Sequence, residues 1–215
     1  MRRTAVFGGS FNPIHFGHLL IADEALEQFG LDRVLFVPAA APPHKPAHSL
    51  APAEDRYEMV RLAIAGHPRF EVSDIELRRR GPSFTVDTLE ALHRADEELI
   101  LLIGSETFLD LLSWRQPRRI VELARLVVVP RATSTFDPES TAAQKVLREI
   151  GAARFATAAD PPAPRAVVVL YATSLPISSS ELRARSHDGR SLAYRTPDAV
   201  IAYIRRRRLY AAGEP

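Results

Sequence analysis

The stretch TAVFGGSFNPIHFGHLLIADEAL, residues 4–26, decides the fold. An apolar run from Arg3 to Phe7 breaks at Gly8 and Gly9. Beyond His18, residues Leu19, Ile21, Ala22, Ala25, Leu26 and Phe29 recur at the spacing of one helix face, and Gly30 is placed to end that helix. A buried strand, a glycine turn and a helix in that order open an α/β unit. They also set His15 and His18 beside glycines at a strand end, where histidines could bind a metal, pack in a core or address a phosphate.

Outward from this unit the alternation continues. RVLFVP (Arg33 to Pro38) reads as a second strand limited by its proline, and the proline-rich loop 39–52 follows. A helix is expected from about Glu54 to Ala65, a strand over Arg69 to Ser73, and a helix over Ser83 to Ala95 with Ser83 as N-cap. Glu98 to Gly104, Ala124 to Arg131 and Arg165 to Tyr171 are further strands. Their apolar runs lack alternation, which suggests burial on both faces and hence a parallel sheet. The expected fold is α/β: a Rossmann-like, doubly wound, mostly parallel sheet. From Pro176 the strands stop, so one domain over 1–215 is expected, with an α/β core to about 175 and a helical portion over 176–215. The segment 133–164, rich in Ala, Pro, Ser and Thr around a helix near Thr141 to Ile150, reads as a variable surface insertion without chemistry.

Composition narrows the chemistry. The 215 residues are 46% hydrophobic and 25% charged, the balance of an ordinary globular protein. There is no cysteine, which excludes disulfides, thiolate nucleophiles and cysteine metal sites together. The apolar stretch before Gly8 is too short for a signal sequence and no run is long enough to span a membrane, so a cytoplasmic location without membrane partners is expected. Net charge is +2, and Lys45 and Lys145 are the only lysines among 28 cations, which singles out Lys45 in its loop after a strand end.

In a doubly wound sheet, ligands sit at the carboxyl ends of strands near the switch point. Gly8, Gly9 and Ser10 lie at such an end, although neither G-x-G-x-x-G nor G-x-x-x-x-G-K-[ST] is present. His15 and His18 are three residues apart and share a face if helical; no H-E-x-x-H accompanies them. ISSSELR (Ile177 to Arg183) reads as a helix start, able to bind an anion or simply to cap. Trp114, the only tryptophan, suits a core or a stacking surface. The arginine runs Arg78 to Arg80 and Arg205 to Arg208 read as solvated or helix-dipole-matched cations, so no nucleic-acid partner is expected.

GGSFNPIHFGH resembles the [GS]-[TS]-F-[DN]-P-x-H-x-G-H motif of the nucleotidyltransferase superfamily. PPHK (Pro42 to Lys45), GSETFLDLLSW (Gly104 to Trp114) and ISSSELR, in this order, are similar to the bacterial nicotinate-nucleotide adenylyltransferases, over nearly the whole chain. The resemblance implies transfer of AMP from ATP to nicotinate mononucleotide, giving deamido-NAD and pyrophosphate, with Mg²⁺ arriving on ATP and no metal held by the protein. It implies catalytic roles for His15, His18 and Lys45. It places Gly8, Gly9, Ser10, Phe11, Gly104, Glu106, Ile177, Ser178, Ser179 and Arg183 at ATP, and Thr85, Trp114 and Arg131 at the nicotinate nucleotide. Glu106 departs from the family's usual aspartate, and Ser180 and Leu182 from its threonine and isoleucine. The alternatives are a related enzyme acting on nicotinamide mononucleotide or phosphopantetheine, and a non-catalytic nucleotide- or RNA-binding regulator. A homo-oligomer is left open.

Overall fold

The computed structural model describes residues 1–43, 46, 49–130, 135–160 and 165–212. Strand β1 (Arg2–Gly9) leads into helix α1 (Phe16–Gln28), then β2 (Arg33–Pro38), α2 (Ala53–Ala63), β3 (Phe70–Val72), α3 (Ile75–Arg78) and α4 (Thr85–Leu92). β4 (Glu97–Gly104) opens the second half, followed by α5 (Ser105–Leu109), a 3-10 turn (Leu111–Ser113), α6 (Pro117–Leu123), β5 (Arg125–Val129), α7 (Thr141–Glu149), β6 (Arg154–Thr157) and β7 (Ala166–Val169). Helices α8 (Ser179–His187) and α9 (Asp198–Arg207) close the chain.

Among the described residues the strands form one seven-stranded sheet in the order β3-β2-β1-β4-β5-β7-β6, every pairing parallel. β1 therefore lies between β2 and β4, at the point where the chain reverses its direction of travel across the sheet. Side chains along the strands divide between two cores. Ala5, Phe36, Ile100, Leu102 and Val127 pack on one face with Ala25 and Leu26 of α1, Met59 of α2 and Val200 and Ile204 of α9. Val6, Leu35, Leu101, Ile103 and Val128 pack on the other with Leu89 of α4, Ile120 of α6 and Val146 of α7. Covering both faces explains the unbroken apolar runs and the parallel pairing together. No helix among the described residues is long and apolar enough to cross a membrane.

Three expectations need correction. The segment 133–164 is not all surface decoration, because β6 lies within it and adds an edge strand to β7, from Arg154↔Ala166 to Thr157↔Val169. Ser83 does not cap α4: the cap position is Phe84, without a side-chain bond, and the Ser83 Oγ accepts instead from Ala41 N at 3.1 Å. Arg207 is not simply solvated, since its Nε donates to Asp55 Oδ1 at 3.0 Å.

Candidate active site

The loop between β1 and α1 is shaped by close contacts that its glycines permit. A Cβ at Gly9 would stand 3.1 Å from the Phe11 ring, and one at Gly17 would stand 3.1 Å from His15 Nδ1. Phe11 itself takes a left-handed backbone, φ 45°, and is buried. A non-glycine residue there costs of order 1–3 kcal/mol and is held by its surroundings. Those surroundings are aromatic: the Phe11 ring meets Phe7 edge-on at 5.6 Å and His18 at 5.2 Å.

His15 occupies the cap position of α1 and His18 its third helical position, so the helix begins three residues earlier than the apolar spacing from Leu19 indicates. Their rings stack with centroids 3.7 Å apart. The backbone N–H of His15 donates to His18 Nδ1 at 3.3 Å. An acceptor Nδ1 places the proton of neutral His18 on Nε2, which makes that nitrogen a donor.

The second half of the chain ties itself to this loop. Ser178 caps α8, its hydroxyl accepting from Glu181 N at 3.1 Å, as expected for ISSSELR. Ser179 Oγ donates to Pro13 O at 2.8 Å and Arg183 Nη1 to Asn12 O at 2.9 Å. Thr196 Oγ1 donates to Ile14 O at 2.8 Å, Phe16 N to Arg195 O at 3.0 Å and Tyr210 Oη to Asn12 Oδ1 at 2.7 Å. The N-termini of α1 and α8 thus converge on residues 12–16, and their dipoles supply partial positive charge at one place. Replacing Thr196 by valine strips Ile14 O of a buried donor. Thermal unfolding should show a loss of about 1–3 kcal/mol, at about 2–4 °C per kcal/mol for a chain of this size.

Gly104 ends β4 beside β1 and is the cap position of α5, with Glu106 exposed in that helix's first turn. Ile177 lies by the loop, its carbonyl oxygen 3.9 Å from where a Gly17 Cβ would stand. Thr85 begins α4, and half-buried Trp114 ends the 3-10 turn while packing on the second core. These two belong to the opposite face of the sheet from α1, and the two faces meet at the carboxyl ends of β1 and β4. Lys45 and Arg131 lie outside the described residues. Among the described residues no group of three or more His, Cys, Asp or Glu could hold a metal ion.

Arg56 escapes the sequence reading, and Asn12 enters it only as part of the histidine motif, without its bonds. Asn12, 2% exposed, donates from Nδ2 to Ser49 O at 3.1 Å and accepts from Ala51 N at 3.0 Å in addition to its bonds with Tyr210 and Arg183. Arg56 is fully buried at 1% exposure. Its signal was available: it shares the α2 stripe of Met59, Val60 and Ala63 at intervals of three, four and seven, where an arginine has no reason to be unless it bonds something beneath.

A cytidylyltransferase-like family model matches residues 6–185. A probable nicotinate-nucleotide adenylyltransferase of Thermus thermophilus is 44% identical over 210 residues, covering 97% of this chain and 99% of the relative. The chain belongs to the nicotinate-nucleotide adenylyltransferase family. Another member, from Geotalea daltonii, is 43% identical over 218 residues, 98% of this chain and 99% of its own. The fold agrees with the solved Plasmodium falciparum nicotinic acid mononucleotide adenylyltransferase complexed with NaAD: TM-score 0.72 at 18% identity, covering 98% of each chain. Family membership makes the chain a nucleotidyltransferase of NAD biosynthesis.

Proposed function

We infer that the chain transfers AMP from ATP to nicotinate mononucleotide, forming deamido-NAD and releasing pyrophosphate. The observation that carries the reading is the convergence of two helix N-termini, through Ser179 and Arg183, on the loop that holds the stacked histidines. Such a place favours a polyanion.

The reaction requires no protein nucleophile. An oxygen of the mononucleotide phosphate, already anionic near neutral pH, attacks the α-phosphorus of ATP. The bond to the bridging oxygen breaks, and that oxygen leaves with its electron pair on pyrophosphate. The protein's part is alignment and neutralisation of charge. His18 donates from Nε2 to an α-phosphate oxygen, and His15 contacts the phosphates beside it. The hydroxyl of Ser178, which accepts from Glu181 N, has its own proton to donate to a phosphate oxygen. Ser179 and Arg183 hold the triphosphate from α8, while Gly8 to Phe11 let it approach the backbone. Gly104, Glu106 and Ile177 border the adenosine, with Glu106 accepting from nucleotide hydroxyls. Thr85 and Trp114 take the nicotinate ring and carboxylate, and Lys45 and Arg131 neutralise phosphate charge. The divalent cation, Mg²⁺, enters on the ATP substrate.

The test is pyrophosphate release from ATP with nicotinate mononucleotide, nicotinamide mononucleotide and phosphopantetheine offered separately. Release is expected with the first and weakest with the last. No release with either mononucleotide would sink the reading.

A further inference from the structure

Arg56 has an environment that packing does not explain. Its Nε donates to Ala51 O at 2.9 Å, its Nη1 to Ser10 O at 2.8 Å and its Nη2 to Ala40 O at 3.2 Å. The three carbonyls come from the glycine loop after β1 and from both ends of the segment after β2, which carries Lys45 in sequence. Among the described residues its hydrogen bonds go to carbonyl oxygens alone, and Glu54 and Glu76 act on its charge only at longer range. Burial lowers its pKa, yet a guanidinium remains charged. A buried charge held by backbone carbonyls, with carboxylates acting only from a distance, is costly, and methionine would fill the volume without that cost. What methionine lacks is a planar fork with donors in fixed directions.

We propose that Arg56 is a positioning residue for adenylyl transfer, setting the spacing of Ser10 in the glycine loop from Ala40 and Ala51, the residues that flank Lys45 in sequence. The proposal rests on the reading of Lys45 as a phosphate-neutralising group. Other bonds hold the same segment. Ser83 N donates to Ala41 O at 2.9 Å while Ser83 Oγ accepts from Ala41 N, and Asn12 bonds Ser49 and Ala51. Loss of Arg56 therefore shifts the segment against the glycine loop rather than releasing it. Such a shift is felt in the aligned transition state more than in substrate binding.

The experiment is a double-mutant cycle on the full chain, read by pyrophosphate release, with Arg56→Lys and Arg56→Gln each combined with Lys45→Ala. Circular dichroism checks folding. Arg56→Lys keeps the charge but offers no planar fork, so it is expected to lower kcat at least about tenfold while the KM for nicotinate mononucleotide changes less than about threefold. The kcat penalty of Lys45→Ala should shrink at least about tenfold in either Arg56 background, because a mispositioned lysine has less to lose. An undiminished Lys45 penalty overturns the proposal, and so does failure of both Arg56 variants to fold, which would make the residue structural. Failure of the underlying reading is distinguishable: Lys45→Ala would then be harmless with Arg56 intact.

Discussion

Replacing His18 by alanine should lower kcat more than about a hundredfold while the protein keeps its fold. The expected loss is that of one donor aimed at charge developing in a transition state, about 2.7–4 kcal/mol. Two features of the structure single out Nε2 as that donor. The His15 amide occupies Nδ1 at 3.3 Å, fixing the tautomer, and the ring is set edge-on against Phe7 and Phe11 at centroid distances of 6.0 and 5.2 Å. An aligned donor loses little entropy at the moment of reaction, so its removal appears in kcat rather than in KM. Steady-state pyrophosphate release measures this, with circular dichroism as the control for folding. A loss under about fivefold would reduce His18 to a role in shaping the loop.

The largest effect on stability is expected from Asp55→Ala. This carboxylate, 3% exposed, accepts from Tyr203 Oη at 2.7 Å and from Arg207 Nε at 3.0 Å, and so fastens α9 to α2. Removing it leaves a buried phenol without its acceptor and an arginine without its ion, at about 3–5 kcal/mol. The melting temperature should fall by about 10 °C. The same contact makes stability sensitive to alkali. Burial, and then the hydrogen bond to Asp55, push the Tyr203 phenol up to about 12 from its ordinary 10.0. The folded protein therefore keeps a proton that the unfolded chain releases first. The corresponding stability is complete below about pH 10 and is lost as pH rises through 10 to 12. Urea unfolding of the wild type should weaken across that window more than that of Tyr203→Phe, which has no phenol to titrate. Burial also raises Tyr210. That contribution is common to both proteins and cancels in the comparison. Equal slopes would show that Tyr203 is not the group responsible.

What the sequence made legible follows from where local and tertiary preferences agree. β1, β2 and β4 are apolar runs that pair in the centre of the sheet, so their hydrophobicity and their position say the same thing. Ser178 is a cap in both readings because its bond to Glu181 N is local. The start of α1 was legible only in part: His15 and His18 share its first turn as their spacing allows, while Gly17 argues against helix by propensity and is accounted for by the His15 ring and the Ile177 carbonyl lying close to it. β6 has four residues and pairs with β7 alone, a partner that no local pattern announces. Ser83 could cap α4 or bond Ala41 at similar local cost, and the loop after β2 decides between them. The histidine loop itself was recognisable from its residue types, whereas its tethers to Asn12, Pro13 and Ile14, 166 to 198 positions distant, are invisible to spacing.

The bonds from Ser179, Arg183, Arg195, Thr196 and Tyr210 to residues 12–16 impose an order in time. Synthesis runs from the amino end, so the residues that finish the glycine loop are made 166 to 198 positions after the residues they bond. A nascent chain that has emerged as far as residue 175 carries all seven strands yet lacks every one of these tethers. The loop is therefore organised only after the sheet is complete. Chains stalled or clipped before residue 179 amount to a sheet without any of the bonds that hold residues 12–16 in place.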